Sequence, residues 1–171
     1  MRNLTKGEIL AQVRDIMNDL NDSEKLKNIV IMGMGEPLAN YKNVIGAIDT
    51  ITDTRCGLGF SNNKVTLSTA GMVPKLADLN QDASVNLAIS LNATDNQTRD
   101  MLMPINKKYP LEILLDACRK YRLPPRQSIM FEYILLKNIN DSTDDANRLA
   151  KLLRSIKAKI NLIPFNEFEC R

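Results

Sequence analysis

The sequence predicts an α/β protein built on a mostly parallel sheet covered by helices. Three observations predict it. After an opening helical stretch, strand-like and helix-like stretches alternate strictly along the 171 residues. The strand-like stretches are short apolar or β-branched runs bounded by glycine, proline, serine or asparagine. No internal repeat, low-complexity tract or linker-like composition interrupts them, so residues 1–171 are expected to form a single domain. Strict alternation implies right-handed crossovers between parallel strands. An open doubly wound sheet and a closed or partial barrel both satisfy that pattern.

Thr5-Lys6-Gly7-Glu8 has the spacing of a capping box, and Ile9, Leu10, Val13, Ile16, Met17 and Leu20 follow at helical period. That helix is expected to end in the polar residues 21–23. KNIVIMG reads as a strand buried on both faces, because its apolar residues run without alternation. Residues 41–52 form a helix with Val44, Ile45, Ile48 and Ile51 on one side, and CGLGFSNN is a loop. NKVTLSTAG is a β-branched strand, and Pro74 stands at the start of the next helix. VNLAISLNA is the third strand, after which Asp95 caps a short helix running to about Met101. Pro110 opens the amphipathic LEILLDACRKYR, which Pro124 and Pro125 stop. QSIMFEYILL is the fourth strand. DSTDDANRLAKLLRSI is a helix whose acidic first turn suits its dipole, and AKINLIPFN is the fifth strand.

Composition narrows the chemistry. Apolar residues make up 44% and charged residues 25%, the balance of a soluble globular protein, and no run approaches a membrane span. A cytoplasmic protein with no membrane partner is expected. The basic surplus is 23 against 20, too small to signal a polyanionic ligand. The local basic groups (Lys107 and Lys108, residues 119–122, Lys157 and Lys159) read as solvated helix ends and turns. Histidine is absent, which removes the commonest general base and transition-metal ligand. Cys56, Cys118 and Cys170 have neither disulfide nor metal-site spacing, so no metal-ligating or catalytic residue is expected in this chain. Cys118 reads as a packed core thiol.

In parallel α/β folds ligands sit at the carboxyl ends of the strands. Those ends carry residues 33–37 (GMGEP), residues 68–71 (STAG), Ser90-Leu91-Asn92 and residues 164–166 (PFN). They supply glycines, hydroxyls, amides and one carboxylate, but no acid–base pair and no activated nucleophile. Glu36 is suited to an ammonium group through a charge-assisted hydrogen bond. Gly33 and Gly35 lack the Cβ that would hold a ligand away from the backbone. Ser68, Ser90 and Asn166 suit hydroxyls or a carboxylate. Glu132, within a strand, is a weak catalytic candidate and is expected instead to be paired with a lysine or arginine.

IMGMGEPLANY, KVTLSTAGMVPK, LAISLNATDNQTRDMLMPIN and INLIPFN, in that order, resemble the radical-SAM adenine-C2 methyltransferases of 23S rRNA and tRNA. RNLTKGEIL resembles the segment that follows their cluster-binding loop. The resemblance implies an incomplete radical-SAM type partial (β/α) barrel with its first strand missing. It implies S-adenosylmethionine as cofactor, together with a [4Fe–4S] cluster in the full-length enzyme. The cluster's CxxxCxxC ligands and the methyl-carrying cysteine would lie outside this chain, so the fragment is expected to be inactive by itself. Carried over position by position, the cofactor-binding residues are Gly35, Glu36, Ser68, Ser90, Leu91, Asn92 and Asn166. Many members have histidine where this chain has Asn92, so only a backbone role transfers there.

The implied partners of the full enzyme are 23S rRNA, tRNA and a flavodoxin-like electron donor. An adenine-C8 methyltransferase of the same family and a non-catalytic α/β ligand-binding domain are the alternatives. A missing first strand would leave the KNIVIMG edge unpaired, so self-association through that exposed sheet edge, or its cover by the N-terminal segment, is also expected.

Overall fold

The computed structural model describes residues 2–21, 23–32 and 35–166. Gly33 and Cys170 lie outside the described residues. Helices α1 (Lys6–Asp19), α2 (Tyr41–Thr52), α3 (Val73–Asp82), α4 (Asn96–Leu102), α5 (Leu111–Lys120) and α6 (Thr143–Leu153) alternate with strands β1 (Ile29–Ile31), β2 (Val65–Thr69), β3 (Asn86–Ser90), β4 (Ile129–Leu135) and β5 (Ala158–Pro164). Sheet order follows sequence order, β1-β2-β3-β4-β5. A doubly wound sheet reverses its strand order part-way, whereas barrel-type winding does not. The sequential order therefore decides between the two architectures that the sequence left open. The chain divides into two compact units, residues 1–87 and 88–171.

In the first unit β1 and β2 pair in parallel with Ile29 opposite Val65 and Ile31 opposite Leu67. The expected capping box closes α1: Thr5 accepts from the Glu8 amide, and Glu8 accepts from the Thr5 amide. Helix α2 buries Val44, Ala47, Ile48 and Ile51, the 3–4 spacing of one apolar stripe. Each such aliphatic side chain contributes about 1.5–3 kcal/mol relative to leaving it exposed. The last carbonyls of α2 are satisfied by the loop after it, since Leu58, Gly59 and Phe60 donate to Thr50, Asp53 and Ile51 respectively.

KNIVIMG departs from expectation. Only three of its described residues form a strand, and Val30 is 50% exposed. β1 is an edge of the sheet, and alternate residues of a strand face opposite ways, so Ile29 turns inward while Val30 does not. A continuous apolar run gave no hint of that.

In the second unit β3, β4 and β5 pair in parallel, with Ser90 opposite Glu132 and the β4–β5 register running from Ile129–Ala158 to Leu135–Pro164. Helix α5 buries Leu111, Leu114, Leu115 and Cys118 at positions i, i+3, i+4 and i+7. Strand β4 contributes Ile129, Phe131 and Tyr133 to this core. β5, the other edge, is largely exposed, with Ile160 at 44% and Leu162 at 55%. No helix among the described residues is long and apolar enough to cross a membrane.

Candidate functional site

The carboxyl end of β1 leads through Gly35 and Glu36 into a short 3-10 helix (Pro37–Asn40). Gly35 has φ +123°, a conformation that L-residues with a Cβ rarely adopt. A Cβ built there would meet nothing within 4 Å, so the space over this backbone is open. Glu36 does two jobs at once. As N-cap, its Oε1 accepts from the Leu38 amide at 2.9 Å. It also reaches the end of β2: Thr69 Oγ1 donates to Oε1 at 2.8 Å, and the Ala70 amide donates to Oε2 at 2.7 Å. Thr69 in turn accepts from the Gly71 amide at 3.0 Å.

Sequence reading singled out Ser68 at this strand end. Ser68 is buried at 5% exposure; the hydroxyl that meets Glu36 belongs to its neighbour Thr69. Alternation along β2 sends neighbouring side chains to opposite faces, but it does not say which of the two faces Glu36. A carboxylate offers about four acceptor sites; two at Oε1 and one at Oε2 are filled, which leaves Oε2 open to one further donor. The carboxylate is therefore first a clasp between two loops, and its remaining acceptor site is suited to a cationic N–H.

The second unit holds Ser90, Leu91 and Asn92 at the end of β3. Leu91 is fully buried, and its amide donates to the Glu132 carbonyl at 2.9 Å. Ser90 Oγ donates to Glu132 Oε2 at 3.3 Å, so a hydroxyl partners this acid where a lysine or arginine was expected. Asn92 has φ +57°, in the left-handed region that Asn tolerates better than most residues. Its Oδ1 accepts from the Ile134 amide at 2.9 Å, and its Nδ2 donates to Met103 Sδ at 3.4 Å. The Asn92 side chain thus holds the turn to β4. Asn166 follows β5 and is exposed.

Buried polar residues that the sequence did not single out surround this turn. Arg99 of α4 is fully buried. Its Nε donates to the Leu91 carbonyl at 3.0 Å, one terminal nitrogen to the Ser90 carbonyl at 3.2 Å, and the other to Asn106 Oδ1 at 3.0 Å. Burial lowers its pKa to about 10 against partial compensation by Cys118 and Asp100, so it stays cationic at neutral pH. Asn140, 1% exposed, donates to the Asn92 carbonyl at 2.7 Å and the Ile134 carbonyl at 2.8 Å while accepting from the Leu136 amide at 2.7 Å.

Near it, Asp145 accepts from Thr94, Ser142 and Arg148. Burial pushes the Asp145 carboxyl up, but those hydrogen bonds outweigh it and the pKa falls below the usual value. Tyr133 donates to the Asn140 carbonyl at 2.8 Å, and burial, reinforced by Asp145, raises its pKa to about 12. Burial likewise raises the Cys118 thiol to about 12. A thiol so disposed is inert at neutral pH.

The donor set can be tested against the two groups that the resemblance implies. The open backbone at Gly35 and the spare acceptor of Glu36 fit an ammonium-bearing cofactor such as S-adenosylmethionine. Among the described residues no group of three His, Cys, Asp or Glu side chains is placed to hold a metal. Cys56 is exposed and Cys118 buried.

Comparison with known proteins adds to this geometry. The model of the radical SAM superfamily matches residues 2–152. The protein called dual-specificity RNA methyltransferase RlmN in Desulfosudis oleivorans is 64% identical over 169 residues, covering 99% of this chain and 46% of its own length. The protein of that name in Syntrophobacter fumaroxidans is 53% identical, covering 96% of this chain and 48% of its own. The chain thus spans about half the length of these curated relatives. A crystal structure of a radical SAM methyltransferase from Sphaerobacter thermophilus superposes with a TM-score of 0.92 at 38% identity, over 98% of this chain and 49% of that one.

Proposed function

Because the chain belongs to the radical SAM superfamily, we propose that it is the S-adenosylmethionine-binding core of an RNA methyltransferase acting on carbon 2 of an adenine in 23S rRNA and tRNA. The observation that carries this reading is the 64% identity, over 99% of the chain, to a relative named as a dual-specificity RNA methyltransferase. The carbon-2 position comes from the motif resemblance, and 23S rRNA, tRNA and a flavodoxin-like electron donor come with it as partners of a cytoplasmic enzyme. Both compact units act as one core domain in this reading.

The cofactor contacts are assigned to Gly35, Glu36, Ser68, Ser90, Leu91, Asn92 and Asn166. Glu36 contributes its free Oε2 acceptor to the methionine ammonium, a charge-assisted bond stronger than a neutral one. Gly35 contributes an approach to bare backbone. In such enzymes the cofactor, when bound, supplies the radical, and the protein supplies orientation and electrostatics. This chain supplies the orienting shell, so by itself it binds without methylating.

Isothermal titration with S-adenosylhomocysteine tests the binding reading. The chain takes up one equivalent, and Glu36→Ala abolishes uptake. A chain that ignores this probe under conditions where it is folded would sink the proposal. Incubation with tRNA, S-adenosylmethionine and a reductant yields no methylated adenine; product formation would overturn the assignment of a binding role only.

A further inference from the structure

The turn at Ser90–Asn92 is held from behind by two buried side chains that lie well apart in sequence. All three of its carbonyls are engaged: Arg99 takes those of Ser90 and Leu91, and Asn140 takes that of Asn92. Neither side chain is more than 1% exposed. Both are anchored in turn. Asn106 accepts from Arg99 and is itself fixed by donating to Asp100 at 2.7 Å and to Asn96 Oδ1 at 3.1 Å. Asn140 is held by the Leu136 amide through its side chain and by Tyr133 through its carbonyl.

Burying a guanidinium is costly unless its hydrogen bonds are met, and here α4 commits one to two adjacent carbonyls of a single turn. A packing role would be served by an apolar residue of similar volume. Only a planar fork reaches both carbonyls together.

We propose that Arg99 and Asn140 are positioning residues for the cofactor, fixing the Ser90–Asn92 backbone in its ligand-ready shape. This rests on the reading that the turn contacts S-adenosylmethionine. Asn92 at φ +57° is kept in the left-handed region that residues with a Cβ seldom adopt. Releasing the brace frees the turn to leave it.

The test uses Arg99→Lys, which keeps the charge but loses the fork, and Asn140→Ala, with Leu114→Val in the core as a destabilised control outside the turn. Two quantities are read: amide hydrogen exchange across residues 90–94, with α2 amides as internal reference, and S-adenosylhomocysteine affinity by titration. In each brace variant the 90–94 amides exchange at least about tenfold faster while α2 is unchanged, and affinity falls roughly tenfold or more. Leu114→Val lowers the melting temperature and leaves affinity unaltered. Exchange that stays at the parent rate overturns the brace, and so does faster exchange with parent affinity. If Arg99→Lys fails to fold, Asn140→Ala decides by the same readouts. Failure of the parent chain to bind the probe is a separate outcome: it removes the cofactor reading, and the positioning role falls with it.

Discussion

Thr69 donates its hydroxyl proton to Glu36 at 2.8 Å across 33 positions of sequence, and that one bond ties the loop after β1 to the loop after β2. The same carboxylate takes the Ala70 and Leu38 amides. Thr69 is 2% exposed, so its hydroxyl has no ready alternative in water. Thr69→Val therefore destabilises the chain by about 1–3 kcal/mol, read as a lower urea midpoint at unchanged slope. Glu36→Gln costs at least as much, because an amide group then faces donors. In a double-mutant cycle the two substitutions are coupled by roughly 0.5–3 kcal/mol; strict additivity would show that the clasp does not operate in solution.

Gly57 carries a different prediction. A Cβ there would lie 2.0 Å from the Thr50 carbonyl oxygen and 2.7 Å from that of Asp53, both backbone atoms at the end of α2. The loop comes this close because it satisfies those carbonyls, and glycine alone permits the approach. Gly57→Ala forces the loop off the helix and costs about 1–3 kcal/mol or more. Differential scanning calorimetry checks it, with a melting temperature lower by roughly 2–4 °C per kcal/mol for a chain of this size.

Asp145 makes acid stability its readout. Its pKa is depressed in the folded chain relative to the ordinary value of 3.8. A group of this kind stabilises fully above its unfolded pKa and loses that contribution as pH falls through the folded one. Asp145→Asn is therefore less stable than the parent at pH 7, and the gap closes as the pH drops below about 4. Urea titrations at successive pH values give the two curves. Parallel curves down to pH 2 would contradict the assignment.

The sheet edges bear on self-association. Val30 within edge strand β1 and Met32 just after it are 50% and 57% exposed, and exposed apolar edges recruit other strands. Light scattering is expected to show mass rising with concentration, and Val30→Lys with Met32→Lys to suppress it. A concentration-independent monomer for the parent would refute edge pairing.

Local rules made much of the chain legible. The capping box at Thr5, the Asp95 cap, the stripe on α5 and the starts of the other helices follow from propensity and period, because each depends on neighbours within a turn or two. The strand ends that carry Gly35, Glu36, Ser90 and Asn92 were legible for the same reason, since glycine and asparagine mark where the backbone leaves the sheet. Three outcomes needed the tertiary structure. Which hydroxyl of Ser68 and Thr69 meets Glu36 depends on how β2 faces its neighbour, and a one-residue shift reverses that choice. That Arg99 is buried beneath a turn runs against composition, where arginine marks surface. Its place is set by carbonyls of another element that no local pattern announces. The open edge at β1 was expected from the sequence, but that β5 is the other edge, with open apolar residues, follows from strand order, and order is a property of the assembled sheet. Sequence by itself determined the elements and the chemistry at their ends. The clasp at Glu36 and the brace behind Asn92 were decided only in three dimensions, because hydrogen bonds between residues far apart in the chain exist only once the strands have paired.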